Sequence, residues 1–172
     1  DTMTGDAGFD RLFGGDGNDV GLGGAHSDAL FGQNGADRLH GQGGNDRIFG
    51  GFNNDRLVGG NGNDNLYGGA GFDTIRGDAG NDVLSGNFNA DRFVFADIAG
   101  GFGQDTITDF AATNRFEKID LSRVGTISSL NDLFSNHLRQ MGSDVRIDAG
   151  AGNTITLLDV NRGDLDASDF IF

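Results

Sequence analysis

The chain has no cysteine, no proline and no tryptophan, and only three histidines among its 172 residues. Without cysteine there are no disulfide staples, so stability outside the cell has to come from another source. There is likewise no thiolate to serve as nucleophile or metal ligand. His26, His40 and His137 lie far apart, and none opens an H-E-x-x-H zinc-protease motif. No Ser-His-Asp order can be argued either. No catalytic residues are therefore expected in these residues. Positive charge is scarce: 12 Lys and Arg stand against 26 Asp and Glu, a formal net charge of −14. Such a balance disfavours nucleic acid or an anionic membrane as a direct partner and favours cations. No apolar run approaches the 18 residues of a membrane-spanning helix, and no signal peptide is visible.

What the chain has in abundance is glycine, 32 residues of it. So much glycine with few apolar residues ordinarily signals disorder. Here the glycines are periodic. From Asp1 an aspartate falls every ninth residue through Asp10, Asp19, Asp28, Asp37, Asp46, Asp55, Asp64, Asp73, Asp82 and Asp91. A glycine precedes each of the last ten by five residues, from Gly5 to Gly86. Two residues after each aspartate comes one apolar side chain, such as Met3, Leu12, Leu30, Leu39, Ile48 or Phe93; the exception is Gly21. A fixed period of this kind sets the architecture before any single residue is interpreted, and the nonapeptide G-G-x-G-x-D-x-U-x is an established signature of a calcium-binding parallel β-helix. The chain opens at the sixth position of a unit, which reads as a fragment of a longer protein.

Within a unit the first six residues read as a turn and the last three as a strand. Glycine at the turn positions supplies positive φ at little cost. Where His26, Asn53 and Asn89 replace it, the substitutes are residue types that tolerate that region. In the strand triplet the middle residue points inward and its neighbours outward. Leu12, Leu30 and Leu39 then face a core, with Arg11, Arg38 and Phe13 outside. Gly21 leaves a hole, making its unit the weakest. Two units, 18 residues, form one turn of a flattened coil, and alternate units stack about 4.8 Å apart. Stacked carboxylates at about 5 Å repel by roughly 1 kcal/mol in water and about 3 kcal/mol at an effective dielectric near 20. Eight such contacts rival the stability of a whole domain, so a cation between stacked aspartates is expected as a condition of folding. The available ligands are all oxygens, carboxylates and turn carbonyls, which suit Ca²⁺ better than the small octahedral Mg²⁺.

The units Gly59-Gly60-Asn61-Gly62-Asn63-Asp64 and Gly68-Gly69-Ala70-Gly71-Phe72-Asp73 resemble the RTX repeats of proteins exported by bacterial type I secretion. The resemblance implies an all-β fold: a right-handed parallel β-roll over residues 1–94, then a mostly β capping domain with one short helix over 95–172. It also implies Ca²⁺ between turns two units apart, eight ions or more. In that family the lower turn lends its Asp and the carbonyls of positions two and four, the upper turn its Asp and those of positions one and three. One site would use Gly60, Gly62 and Asp64 with Gly77, Ala79 and Asp82. Another would use Gly51, Asn53 and Asp55 with Gly68, Ala70 and Asp73. The same correspondence places Gly8 with Asp10, Gly15 and Gly17 with Asp19, and Gly24 and His26 with Asp28. It further places Gly32 and Asn34 with Asp37, Gly41 and Gly43 with Asp46, Gly69 and Gly71 with Asp73, and Gly86 and Phe88 with Asp91.

After Phe95 the nine-residue frame stops, and strands are expected over Asp105–Phe110 and Glu117–Leu121. Ser129 opens a helix to about Gln140, with Leu130, Leu133, Phe134, Leu138 and Met141 on one face. A hairpin follows around 149–153. Phe93-Val94-Phe95, Asp109-Phe110 and Glu117-Lys118-Ile119-Asp120-Leu121-Ser122 are similar to the C-terminal domain of serralysin-type metalloproteases. That resemblance implies further Ca²⁺ ligands at Asp109 and Glu117. It also implies an export signal in Asp169-Phe170-Ile171-Phe172, an ABC exporter as partner, an extracellular destination and a secreted parent enzyme. Read as a plain last strand, the same ending closes the sheet. A second functional reading rests on Arg38, Arg56 and Arg92 at one outward position, with Arg76 a step away. It is a module for anionic polysaccharide, similar to the R-modules of alginate epimerases.

Overall fold

The computed structural model describes residues 1–172. The repeats fold into β1 (Thr2–Thr4), β2 (Arg11–Asp16), β3 (Val20–Ala25), β4 (Ala29–Asn34), β5 (Arg38–Gly43) and β6 (Arg47–Phe52). They continue as β7 (Arg56–Asn61), β8 (Asn65–Ala70), β9 (Thr74–Ala79), β10 (Val83–Phe88) and β11 (Arg92–Ala96). Beyond them lie β12 (Gln104–Ile107), β13 (Lys118–Arg123), helix α1 (Leu130–Asp132), β14 (Leu138–Met141), β15 (Asp144–Gly150), β16 (Asn153–Leu157) and β17 (Phe170–Ile171). The result is a parallel β-solenoid of about five turns with a single short helix.

Odd-numbered strands pair in parallel in one sheet, β1-β3-β5-β7-β9-β11-β13-β17. The even repeat strands form the other, which reads β14-β15-β16-β12-β10-β8-β6-β4-β2. Register follows the 18-residue step: Leu39 lies opposite Leu57, Leu57 opposite Ile75, and Leu30 opposite Ile48. The strands are six residues long, not three, because the chain stays extended through the first three positions of the next unit. Leu30, Leu39, Ile48, Leu57, Leu66, Ile75, Leu84 and Phe93 are fully buried between the sheets. Burying each contributes about 1.5–3 kcal/mol. At Gly21 no hole remains. A Cβ there would come within 2.9 Å of Leu39 Cδ2 and 3.6 Å of Met3 Cε, so neighbouring side chains have closed over the gap.

The outer faces of the two sheets differ. The nine-stranded sheet stacks Phe13, Phe31, Phe49 and Tyr67, with ring centroids 4.8–5.0 Å apart and planes within 10° of parallel. The eight-stranded sheet presents Arg38, Arg56, Arg76 and Arg92.

Parallel stacking does not end at Phe95. β12 pairs with β10 and β13 with β11, and the hairpin β15–β16 joins the sheet edge through β16. The helix expected to Gln140 is shorter. Ser129 caps it, accepting a hydrogen bond from the Asp132 N–H, and after Asp132 the chain widens into one π-turn over Leu133–His137. Residues 138–141 are instead drawn into antiparallel pairing with β15, a tertiary override of helical periodicity. Leu133 and Leu138 are buried, whereas Met141 is exposed.

Candidate metal centre

Each repeat aspartate sits where the extended chain leaves the turn, so its side chain points into the space between successive coils. Asp19, Asp28, Asp37, Asp46, Asp55, Asp64, Asp73, Asp82 and Asp91 are all buried. One carboxylate oxygen of each rung accepts from the backbone N–H of the aspartate one coil earlier. Asp46 N donates to Asp64 Oδ1 (2.7 Å), Asp64 N to Asp82 Oδ1 (2.8 Å), and Asp73 N to Asp91 Oδ1 (2.8 Å). The other oxygen has no protein partner. Oδ2 of Asp10, Asp19, Asp28, Asp37, Asp46, Asp55, Asp64, Asp73 and Asp82 is buried and without a hydrogen bond.

The first-position glycines show what those oxygens face. A Cβ built on any of the ten from Gly5 to Gly86 would collide with Oδ2 of its own unit's aspartate. In eight of them, Gly5 through Gly68, it would also meet the carbonyl of the first-position glycine one coil later. At Gly23 those distances are 2.8 Å to Asp28 Oδ2 and 2.7 Å to Gly41 O. Carboxylate and carbonyl oxygens thus converge on one spot per rung, kept open by the absence of a side chain. Burial pushes Asp55, Asp64 and Asp91 up to about 7, and Asp73 and Asp82 up to about 6. Asp37 and Asp46 shift in the same direction for the same reason. Buried carboxylate oxygens without donors are costly, and a hard cation coordinated by them and by carbonyls removes that cost.

The residues expected to lend carbonyls lie at the ends of the strands and in the turns that follow them. Gly8, Gly15, Gly17, Gly24, Gly51, Gly60, Gly62 and Gly69 have positive φ, as do His26 (83°) and Asn53 (76°). Gly71 lies in the equivalent turn, its backbone against the Asn53 carbonyl. Gly32, Gly41, Gly77 and Gly86 are the oxygen-facing first positions, and Asn34, Gly43, Ala79 and Phe88 close strands β4, β5, β9 and β10.

The ladder has one more rung than the nine-residue frame reaches. Asp105 is buried, accepts from Asp82 N (2.9 Å), leaves Oδ2 without a partner and is pushed up to about 8 by burial. It is the sixth residue of Gly100-Gly101-Phe102-Gly103-Gln104-Asp105-Thr106-Ile107-Thr108, which fits the repeat at every position. The signal was legible but out of frame, since Asp105 follows Asp91 by 14 residues and not nine. Glu117 takes the next rung of the other sheet: Lys118 N donates to Asp91 O (2.8 Å), as Arg92 N does to Asp73 O (2.9 Å). Burial pushes Glu117 up to about 7. Asp109 is placed differently. Its oxygens accept from Ser85 Oγ (2.6 Å), Asn87 N (2.7 Å) and Gly86 N (3.0 Å).

A second, exposed ladder runs beside the first. Asn63 N donates to Asn45 Oδ1 (2.8 Å), Asn81 N to Asn63 Oδ1 (2.8 Å) and Gln104 N to Asn81 Oδ1 (2.9 Å).

The family model for the RTX calcium-binding nonapeptide repeat matches residues 1–28, 22–57 and 58–93, more than half the chain. The chain belongs to the RTX calcium-binding repeat family. It is a Ca²⁺-binding β-roll. Among solved structures it is similar to the extracellular lipase LipA of Serratia marcescens, at 20% identity and a TM-score of 0.49 over 94% of this chain. This chain spans 40% of that lipase. It is also similar to the AlgE6R3 subunit of the Azotobacter vinelandii mannuronan C5-epimerase: 24% identity, TM-score 0.32, 99% of this chain and 78% of that one. No curated protein sequence matches. RTX repeats are typical of secreted bacterial proteins, and no helix of this chain is long and apolar enough to cross a membrane.

The remaining sequence-named residues lie elsewhere. Arg38, Arg56, Arg76 and Arg92 stand on the outer face of the eight-stranded sheet. Phe170 and Ile171 form β17, paired in parallel with β13, while Phe172 is exposed. Asp169 is buried, accepts from Asp166 N (2.7 Å) through Oδ2, and leaves Oδ1 without a partner.

Proposed function

We propose that this RTX chain is a Ca²⁺-triggered folding module of a larger exported protein, with residues 1–94 as the metal-loaded roll and 95–172 as its cap. The observation that carries the reading is the row of buried, donor-less Oδ2 atoms, those of Asp10 through Asp73 each facing a carbonyl of the next coil. Each ion would be held by two aspartates 18 residues apart and by the turn carbonyls around them, as with Gly60, Gly62, Asp64, Gly77, Ala79 and Asp82. Bound Ca²⁺ supplies the positive charge that lets stacked carboxylates be buried ionised. Asp105 extends the ladder and Glu117 ends it. Asp109 is engaged by Ser85, Gly86 and Asn87, so in this reading it braces the Gly86 turn and Glu117 is the stronger ligand.

Where free Ca²⁺ is low the carboxylates repel and the chain stays open, fit for a narrow type I ABC exporter. In extracellular Ca²⁺ it closes. The Asp169–Phe172 ending serves as the export signal and, once outside, as the last strand of its sheet. The whole protein would be a secreted enzyme whose catalytic residues lie outside this chain. Circular dichroism tests the trigger: chelation abolishes the β signal, millimolar Ca²⁺ restores it cooperatively, and equal Mg²⁺ does not. A fully folded metal-free chain would refute it.

A further inference from the structure

Four phenylalanines stand on one edge of the roll, where the chain turns from the nine-stranded sheet to the eight-stranded one. Phe52, Phe72, Phe88 and Phe116 are each 60–73% exposed, half of all the large apolar side chains left open to solvent. Register brings them together. Phe52, Ala70 and Phe88 end β6, β8 and β10 and are paired in one row. Phe72 lies in the turn after Ala70, and its N–H donates to Asn54 Oδ1 (2.9 Å) in the turn after Phe52. Asn114 Nδ2 donates to Asn89 O (3.2 Å) and Lys118 N to Asp91 O (2.8 Å), which sets Phe116 beside Ala90. The edge thus carries two rows, Phe52-Ala70-Phe88 and Phe72-Ala90-Phe116, in which a ring alternates with a methyl group. Residues 52–54, 70–72 and 88–90 include no charged side chain, although the chain's net charge is −14. On the opposite edge residues 43–45, 61–63 and 79–81 are only Gly, Asn and Ala. A turn needs no such rings, and a contiguous exposed apolar patch marks a contact surface.

We infer that this edge pairs with the same edge of a second copy of the chain. The rows are self-complementary. Successive coils lie about 4.8 Å apart, so Phe52 and Phe88 stand about 10 Å apart across Ala70. A ring inserted over Ala70 would lie about 5 Å from each, within the range of about 4.5–7 Å that aromatic pairs prefer. A two-fold axis crossing the edge between the coils of Ala70 and Phe88 supplies that ring from Phe88 of the other copy. The same axis brings Phe72 over Ala90 of the facing copy, between its Phe72 and Phe116. The area suits a weak dimer. Four rings exposed to this degree offer roughly 400–650 Å² per copy, to which the alanines and turn backbone add. That approaches the standard of about 800 Å² per partner. Two copies of so acidic a chain meet most readily where neither presents charge, and the repeat aspartates of these coils are buried. A lipid surface fits less well, because the edge lacks the tryptophan, tyrosine and basic rows of an interfacial anchor.

The test is sedimentation velocity of the whole chain in saturating Ca²⁺ over a concentration series. Circular dichroism of each sample shows whether the roll is folded, so a failure of metal-dependent folding is read separately from a failure to pair. The variants are Phe52→Ser/Phe72→Ser on the edge and Phe9→Ser, whose still more exposed ring lies with Ser27 and Asn45 on the opposite edge. Expected are a reversible dimer of micromolar dissociation constant for the wild type and for Phe9→Ser. The double variant should keep its β signal and associate at least about tenfold more weakly. A folded wild-type chain that stays monomeric up to millimolar concentration would overturn the proposal. So would a double variant that dimerises like the wild type, or a Phe9→Ser variant that loses the dimer equally, the mark of unspecific apolar association. Folded monomers that co-sediment with phosphatidylcholine vesicles through these phenylalanines would also overturn it and give the edge to a lipid surface.

Discussion

Placing a methyl group on two glycines of neighbouring coils should move stability in opposite directions. Gly23 and Gly43 both lie in strands of the eight-stranded sheet without positive φ, so alanine is compatible with either backbone. At an indifferent position Gly→Ala stabilises by about 0.4–1 kcal/mol, because the unfolded chain has fewer states to lose. Gly43 is such a position. Its new Cβ would meet nothing closer than Gly24 O at 3.9 Å, and a carbonyl ligand survives the change. At Gly23 the Cβ would stand 2.7 Å from Gly41 O and 2.8 Å from Asp28 Oδ2, in the space where the oxygens converge. Neither atom can retreat, one being backbone and the other on a carboxylate tied through Oδ1 to Asp10 N (2.8 Å). Overpacking of this kind costs about 1–3 kcal/mol before any loss of metal is counted. For a domain of this size each kcal/mol moves the melting temperature by about 2–4 °C. Thermal melts by circular dichroism in fixed millimolar Ca²⁺ should therefore show Gly23→Ala lower by roughly 2–12 °C and Gly43→Ala higher by about 1–4 °C. Equal melting temperatures for the two variants would refute the claim that first-position glycines are kept to clear an ion site.

Without metal the stability should fall as pH rises. Asp55, Asp64 and Asp91 at about 7 and Asp105 at about 8 stand above their unfolded value, so the contribution of their neutral forms is fully present below the usual carboxylate range. It is lost as pH climbs through 7 to 8. The β signal in chelator should thus be stronger at pH 5 than at pH 8, and saturating Ca²⁺ should abolish or reverse that trend; a chelated chain equally folded at both would count against buried, metal-free carboxylates. Asp105→Ala leaves the Asp82 N–H without its acceptor and removes a rung, costing about 1–3 kcal/mol. Asp1, with its side chain 86% exposed at the open end, should be replaceable without effect, and equal melting temperatures for the two alanine variants would remove Asp105 from the ladder.

Much of this was legible because one period carries both the fold and the site. The nine-residue step places Leu57 over Ile75 and Asp64 over Asp82 by the same arithmetic, so reading the core also read the ladder. What escaped were departures from a fixed frame. Asp105 sits in an intact unit, but the five extra residues before it broke the count. Strand length was underestimated because the residues after each apolar position were read as turn, although they carry parallel hydrogen bonds. The Leu130–Gln140 periodicity was a true helical pattern overruled by the open edge of β15, which residues 138–141 satisfy. The aromatic stack of Phe13, Phe31, Phe49 and Tyr67 follows from the same 18-residue stacking at the outward position of the nine-stranded sheet.

The two ladders run in opposite senses, and that gives the roll a polarity. In the buried ladder each aspartate donates its N–H toward the C-terminal neighbour: Asp46 to Asp64, Asp64 to Asp82, Asp82 to Asp105. In the exposed ladder the N–H of each coil donates back toward the N-terminus: Asn81 to Asn63, Asn63 to Asn45. Water can replace the exposed bonds at little cost, but a buried N–H left without an acceptor costs about 1–3 kcal/mol. Removing a coil from the N-terminal end frees a carboxylate acceptor and an ion position and strands the N–H that follows each aspartate, such as Val20 N, which donates to Asp1 O. Removing one from the C-terminal end strands a buried donor on every coil that loses its neighbour. The buried aspartate N–H groups therefore depend on the coil C-terminal to them. Beyond the repeats, Asp105 supplies the acceptor for the Asp82 N–H, and β12 and β13 continue the two sheets on β10 and β11.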